Sequence, residues 1–262
     1  MSAIYASMFL LAASQGRGLV RAVRSAFTDG FGALFSNTLL ATVAALGFLA
    51  FTILVIDTLE TAGGVPVGGL SGDAMNLFLS LTIAPLREEF GFRVLIIGLI
   101  AAFASIGKPW RSALKAIWRP SVAYEDVQNN TVTKAALGFA LAASALTFGL
   151  VHVTSNSGWE IGKLPEAAYA GVVLGYIYIR YGFHAAVLVH WGIDYLGSVF
   201  AFFGQGAYGI PWTSDTGYFL QQVVTVDMIG VLGVSSFLVV SYLGIRWVLK
   251  RREEAASLRF EV

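Results

Sequence analysis

The sequence predicts an all-α, polytopic membrane protein of about six to eight transmembrane helices. Its 262 residues are 56% hydrophobic and 13% charged, whereas a soluble globular chain carries about 25% charged residues. The mean hydropathy is +0.72, and several stretches of the chain are long and uncharged. At about 20 residues for each transmembrane helix, no room is left for a separate soluble domain.

The first secure span lies between Gly30 and Ile56, where no residue is charged. Residues 74–107 are also mostly apolar, but one helix of that length would measure about 51 Å, more than a hydrocarbon core of about 30 Å. We therefore expect a break at Pro85, where a new helix starts and runs to about Gly107. Further apolar stretches cover residues 135–151, 167–179, 183–203 and 228–245.

Three regions are predicted along the chain. Residues 1–32 form an N-terminal interfacial helix or a weak first span, residues 33–247 the membrane-embedded domain, and residues 248–262 a charged cytoplasmic tail. We expect a cytoplasmic loop at residues 108–134 and a second solvated loop at residues 160–166. The positive-inside rule places both termini of this cell-membrane protein in the cytoplasm, because basic residues flank the outermost spans: Arg17, Arg21, Arg24, Arg246, Lys250, Arg251 and Arg252.

The composition also excludes several classes of function. A net charge of +1 argues against a nucleic-acid partner, which would need a dense basic surface. The chain has no cysteine, which excludes disulfides, cysteine nucleophiles and thiolate zinc sites. It contains no His-Glu-x-x-His pair, no Gly-x-Ser-x-Gly elbow and no phosphate-binding glycine loop. The lipid bilayer is the partner that the composition itself implies.

Ionisable residues within apolar spans are functional candidates, because a charge at the bilayer centre costs about 2.5 to 3.5 kcal/mol even on the lenient insertion scale. The first group follows Pro85. Glu89 and Arg93 are four residues apart with the acid first, the favourable order for an ion pair on one helix face. The residue four positions after Glu88 is a phenylalanine, so Glu88 has no partner for such an ion pair. We predict a structural Glu89–Arg93 pair and a Glu88 that is free to hold water; an interfacial charge cluster is the alternative.

Two further groups contain histidines. Phe148 and His152 share one helix face at the end of an apolar run. His190 and Asp194 are likewise four residues apart and project together from an otherwise apolar span. The third histidine, His184, falls on a different face, and we expect it at the membrane interface. An unpartnered carboxylate, two histidines and a second carboxylate can activate water against a carbonyl, so hydrolysis is the simplest interpretation.

These three groups, in this order, resemble the motifs of the CPBP intramembrane proteases. That family includes the CAAX prenyl endopeptidases of the Rce type and bacterial enzymes linked to bacteriocin processing and self-immunity. Its patterns Glu-Glu-x-x-x-Arg, Phe-x-x-x-His and His-x-x-x-Asn/Asp are matched by Glu88, Glu89 and Arg93, by Phe148 and His152, and by His190 and Asp194. The resemblance covers residues 74–203 and implies an all-helical core around an intramembrane catalytic cavity.

The resemblance also implies a function, that of a membrane-embedded endopeptidase over residues 33–247 that cleaves a peptide or a prenylated protein. Glu88 would be the general base on the attacking water, with His152 orienting that water. His190 and Asp194 would bind the developing oxyanion. The other motif residues would support these four: Glu89, Arg93 and Phe148.

Two mechanisms fit these residues equally. His152, His190 and Glu88 could hold a zinc ion, or the reaction could use a metal-free glutamate. Asp194 bears on this choice, because an asparagine amide can donate to an oxyanion and an ionised aspartate cannot. Asp194 would be protonated, would orient His190, or would bind the metal. A transporter or proton-relay protein that uses the same intramembrane residues is the alternative function.

The predicted topology contains one conflict. Glu88 and His152 fall toward the outer side of the membrane. His190, in contrast, lies about 10 Å from the inner end of its helix. Broken or tilted helices around a cavity would bring the three residues to one depth.

Overall fold

The computed structural model describes residues 1–125, 131–155, 157–214 and 229–257, and within these ranges every element of regular secondary structure is helical. The predicted all-α class is confirmed. The helices are α1 (Ser2–Ser14), α2 (Leu19–Thr28), α3 (Thr38–Ala62), α4 (Ala74–Glu88), α5 (Leu99–Phe103), α6 (Trp110–Trp118), α7 (Val122–Glu125), α8 (Thr131–Thr154), α9 (Lys163–Tyr181), α10 (Phe183–Tyr208) and α11 (Val234–Ser257). A 3₁₀-helix covers Phe31–Ser36, and π-helices cover Glu89–Gly98 and Ile229–Gly233.

Three helices in the described part of the chain are long and apolar enough to cross a membrane: α3, α8 and the segment Gly230–Arg252. A fourth is α10, if its two parts, bent by 51° near residue 200, form one span. The predicted number of six to eight spans is therefore not confirmed. Charged side chains interrupt the helical stretch 74–103 and α9, and α1, at about 20 Å, is shorter than the hydrocarbon core.

The predicted helix break at Pro85 is wrong. α4 continues through Pro85 to Glu88, and the π-helix and α5 follow directly, so residues 74–103 form one helical stretch. Proline removes a single amide donor, a loss that packed membrane helices tolerate. The irregularity lies instead between Glu88 and Glu89, where the helix widens from α to π. Such π segments are frequent at functional sites.

The predicted loops and tail contain more helix than expected. Residues 108–134 include α6 and α7, while residues 126–130 of that predicted loop lie outside the described residues. The predicted tail 248–262 begins inside α11, and its residues 258–262 also lie outside the described part. α6, within the predicted loop, carries the amphipathic pattern of a surface helix, which the length of an apolar run alone does not detect.

Close packing of α8 against α9 sets one wall of the bundle. A Cβ atom on Gly171 would lie 2.8 Å from the Cα of Ala145, and a Cβ on Gly149 would lie 2.8 Å from the carbonyl oxygen of Leu164. Only glycine permits such an approach, and small residues are the usual means by which membrane helices bring their backbones together. The crossing therefore holds the C-terminal turn of α8 beside the first turn of α9.

Replacing Gly149 by leucine is expected to destabilise the protein by about 1 to 3 kcal/mol, because the added side chain would separate the two helices. Gly138 provides a matched control on the same helix, since a Cβ atom there meets nothing within 4 Å. Thermal unfolding of the two purified variants in detergent makes the comparison. Equal melting temperatures of Gly149→Leu and Gly138→Leu would contradict the role assigned to the crossing.

Candidate active site

A cavity of about 580 Å³ lies between α3, α4, α8, α9 and α10, within the range of about 300 to 1,000 Å³ that is typical of ligand sites. One face of α4 lines it with Leu77, Leu81, Ala84 and Glu88, which recur every three or four residues as one helix face does. Its walls also carry seven charged or imidazole side chains: Arg87, Glu88, His152, Lys163, Glu166, His190 and Asp194.

Two carboxylates meet one imidazole in this cavity. The Nε2 atom of His190 lies 3.8 Å from Glu88 Oε2 and 3.8 Å from Asp194 Oδ1. The side chains of Glu88 and Asp194 are 22% and 17% exposed, and both line the cavity. The structure thus brings together the first and third sequence motifs, which are about a hundred residues apart.

The predicted ion pair between Glu89 and Arg93 is confirmed. Arg93 Nε lies 3.1 Å from Glu89 Oε2, and both side chains are fully buried. Within the described residues this contact is a charge pair and not an aligned hydrogen bond, because neither atom has a hydrogen-bond partner. Arg93 Nη1 donates to the Ser144 hydroxyl (2.9 Å), which donates to the carbonyl of Phe92 (2.8 Å). The guanidinium also lies 4.6 Å from the ring centroid of Phe148.

Glu89 has a second contact, which the sequence did not predict. Its Oε1 atom accepts a hydrogen bond of 2.9 Å from His190 Nδ1. A carboxylate can only accept, so Nδ1 carries the proton and Nε2 is the ring nitrogen turned toward Glu88 and Asp194. The buried Glu89–Arg93 pair therefore sets the orientation of the cavity-facing imidazole.

Phe148 separates the two cavity histidines. Its ring centroid lies 4.5 Å from that of His152 and 5.6 Å from that of His190, edge-on in both cases. The Nδ1 atom of His152 donates to the carbonyl oxygen of Phe148 over 2.8 Å, because a carbonyl can only accept. Both histidines thus use Nδ1 for orientation and keep Nε2 for other contacts.

These contacts resolve the predicted conflict of depth. Glu88, His152 and His190 line one cavity, although their distances from the helix ends differ. α8 ends two residues after His152, whereas α10 continues to Tyr208. Counting residues from a helix end gives the depth of a side chain only if every helix starts and stops at the membrane surface.

Lys163 and Glu166 are cavity residues that the sequence analysis placed in a solvated loop at residues 160–166. That prediction is wrong for both, because α9 starts at Lys163 and both side chains line the cavity. Lys163 Nζ lies 2.7 Å from Glu166 Oε2, and the Glu166 side chain is only 3% exposed. Lys163 also lies 4.3 Å from the Trp159 ring centroid. The available signal was their spacing of three residues before an apolar run, which places both on one helix face.

His184 is the histidine that the structure keeps away from the site. It begins α10 and is fully buried, with its ring stacked on Trp118 at 5.5 Å between centroids. Its ring nitrogens find no hydrogen-bond partner among the described residues. His184 thus packs against Trp118 in the first turn of α10, and its location at the membrane interface stays a prediction.

The donor atoms in the cavity wall decide whether the site could hold a metal ion. Imidazole and carboxylate are suitable zinc ligands, but the described residues contain no group of three or more His, Asp or Glu side chains that could hold a metal ion. Glu88, His152 and His190, the predicted ligand set, do not converge in that way.

Comparison with known proteins agrees with the sequence motifs. Residues 70–196 match the family model of the type II CAAX prenyl endopeptidase Rce1-like proteins. No curated protein and no solved structure matches the chain. The matched segment contains all seven motif residues and most of the cavity wall. The match supports membership of the CPBP family, a family of membrane proteases that act on peptide substrates.

Proposed function

We propose that the protein is an intramembrane endopeptidase that hydrolyses a peptide bond of a membrane-associated or prenylated substrate within the cavity. One observation carries the proposal: Glu88 and Asp194 both lie 3.8 Å from the same nitrogen of His190, in a cavity that His152 also lines. Ionisable groups are gathered inside a membrane protein only where a function requires them.

In the proposed reaction Glu88 is the general base. Its carboxylate is accessible from the cavity, whereas the adjacent Glu89 is buried in contact with Arg93. Glu88 takes a proton from water as the water oxygen bonds to the substrate carbonyl carbon. His152 accepts a hydrogen bond through Nε2 from the other O–H of this water, which keeps its proton, and so orients the nucleophile. The proton on Glu88 then passes to the amide nitrogen as the carbon–nitrogen bond breaks.

His190, as the imidazolium that donates through Nδ1 to Glu89 and through Nε2 to the substrate, would stabilise the oxyanion that forms on the carbonyl oxygen, together with Asp194. Both groups lie beside the position that faces Glu88. In many hydrolases, hydrogen-bond donors aimed at the developing charge make the largest contribution to the rate enhancement. Asp194 would donate in its protonated form, as asparagine does at the matching position of some family members. Glu89 and Arg93 are positioning residues in this scheme, because they reach the substrate only through His190.

Asp194→Asn is expected to retain peptide cleavage within about tenfold of the wild-type kcat, whereas Asp194→Leu should lower kcat by about 10²- to 10³-fold. The amide keeps a donor at this position, and the leucine removes it. Steady-state cleavage of one peptide by the three proteins measures the difference. A loss in Asp194→Asn as large as in Asp194→Leu would show that the carboxylate is needed as an acceptor, and would refute the donor role.

The direct test of the function is mass spectrometry of the products that the purified, reconstituted protein releases from a peptide library. The library should contain prenylated and unmodified members, and the reaction should be run with and without a chelator. Endoproteolytic products are expected. A transporter or proton-relay protein, the competing function, would give pH-dependent flux through liposomes and no products.

A further inference from the structure

Backbone contacts define the end of the helix bundle at which the site lies. The amide of Gly69, in the segment after α3, donates to the carbonyl oxygen of Gly158, in the segment after α8, over 3.0 Å. Further bonds of the same kind join these two segments. We call residues 63–73 and 157–162 the cavity end of the bundle.

The opposite end is held together in a similar way. The amide of Ser121 donates to the carbonyl oxygen of Ile179 over 2.9 Å. The hydroxyl of Tyr181 donates to the carbonyl oxygen of Phe35 over 3.2 Å. We call this the basic end, and it comprises residues 15–37, 104–121 and 179–183.

The cavity reaches the first of these ends. Its wall includes residues that lie at or beside the cavity end, whereas none of its lining residues belongs to the basic end as described. The residues at the mouth are Leu70, Ser71, Ser155, Ser157, Trp159 and Lys163. A substrate therefore enters from the cavity end.

The two ends differ sharply in charge. Acidic residues dominate at and beside the cavity end, where Asp57, Glu60, Asp73 and Glu160 lie, and the one lysine there, Lys163, is paired with Glu166. The basic end carries most of the arginine and lysine of the loops: Arg17, Arg21, Arg24, Lys108, Arg111, Lys115, Arg119 and Arg180. Short loops rich in arginine and lysine stay in the cytoplasm.

We infer that the cavity opens on the non-cytoplasmic face of the membrane, so that the enzyme cleaves peptide segments exposed on that face. The substrate part of this inference rests on the proposed function. A prenylated C-terminus is presented on the cytoplasmic face and would lie on the wrong side of the bilayer. The substrate class is therefore an unprenylated peptide that leaves the membrane on its outer side.

The absence of cysteine permits a direct test by labelling single-cysteine variants of the full chain. Ser157→Cys marks the cavity mouth, and Ser14→Cys is the matched control, since Ser14 is an exposed serine next to the basic end. Each variant is treated with a membrane-impermeant maleimide in right-side-out and in inside-out vesicles. Ser71→Cys and Lys108→Cys provide a second pair in case one variant does not fold.

We expect Ser157→Cys to react at least about tenfold more in right-side-out than in inside-out vesicles, and Ser14→Cys to show the reverse, as the charge distribution requires. The opposite pattern, or equal labelling of the two sites in either vesicle type, overturns the inference. The labelling needs no activity, so it does not depend on the proposed function.

Cleavage by the same vesicles then tests the substrate class. Unprenylated library peptides added outside should be cut by right-side-out vesicles and not by those carrying Glu88→Gln. Cleavage confined to inside-out vesicles, or to prenylated peptides, overturns the inference and leaves the protease function standing. Correct labelling with no cleavage in either orientation refutes the proposed function and leaves the topology intact.

Discussion

Replacing Glu88 by glutamine is expected to lower peptide cleavage by about 10²- to 10⁴-fold, the usual contribution of a general base. The amide has nearly the same size and keeps a polar group in the cavity, but it cannot take a proton from water. Because Glu88 is partly exposed to the cavity and forms no part of the buried Glu89–Arg93 pair, the protein should keep its fold. The measurement is steady-state cleavage after matched melting temperatures have been recorded.

Glu160→Gln is the control for this variant. Glu160 is an exposed glutamate close to the cavity mouth, and its side chain does not line the cavity. The substitution makes the same chemical change and should leave turnover unchanged. Undiminished turnover in Glu88→Gln would rule out Glu88 as the base and would leave His152 as the candidate.

Replacing Arg93 by methionine is expected to destabilise the protein by about 3 to 5 kcal/mol, the cost of removing one partner of a buried ion pair. Glu89 would be left as a buried carboxylate without its cation, since both side chains are fully buried. The hydroxyl of Ser144 would also lose a donor. Thermal unfolding in detergent, compared with the wild-type protein, measures the loss.

Two further variants show how much of the lost stability is due to the unpaired charge and how much to lost packing. Arg87→Met removes an exposed arginine six residues earlier and should leave the melting temperature near the wild-type value. The double variant Glu89→Gln with Arg93→Met should recover part of the loss, because no unpaired charge remains. An Arg93→Met protein as stable as the wild type would mean that the pair does not stabilise the fold.

Much of the site could be predicted because its motifs are local. A spacing of four residues puts two side chains on one helix face whatever the rest of the fold does. Glu89 with Arg93 and His190 with Asp194 accordingly lie together as predicted. The scarcity of charge in apolar runs identified which residues to inspect, since a membrane span excludes charge unless a function retains it.

The predictions that were wrong concern features that depend on packing between helices. Pro85 was expected to end a helix, but the helix continues through it and changes to a π-helix only after Glu88. Lys163 and Glu166 looked like loop residues, because an ion pair at the start of a helix resembles a solvated surface in sequence. Their place in the cavity wall follows from the close approach of α8 and α9 at Gly149 and Gly171.

The sequence by itself determined that this is an all-helical membrane protein with ionisable groups on three apolar helical stretches, and its motifs pointed to the protease family. Composition and helical periodicity are properties of neighbouring residues, so they can be read along the chain. Only the tertiary structure decided that Glu89 orients His190, that Glu88 and Asp194 flank the same nitrogen, and that the cavity opens away from the basic end. Those contacts join residues far apart in the chain, and helix lengths and crossings set them.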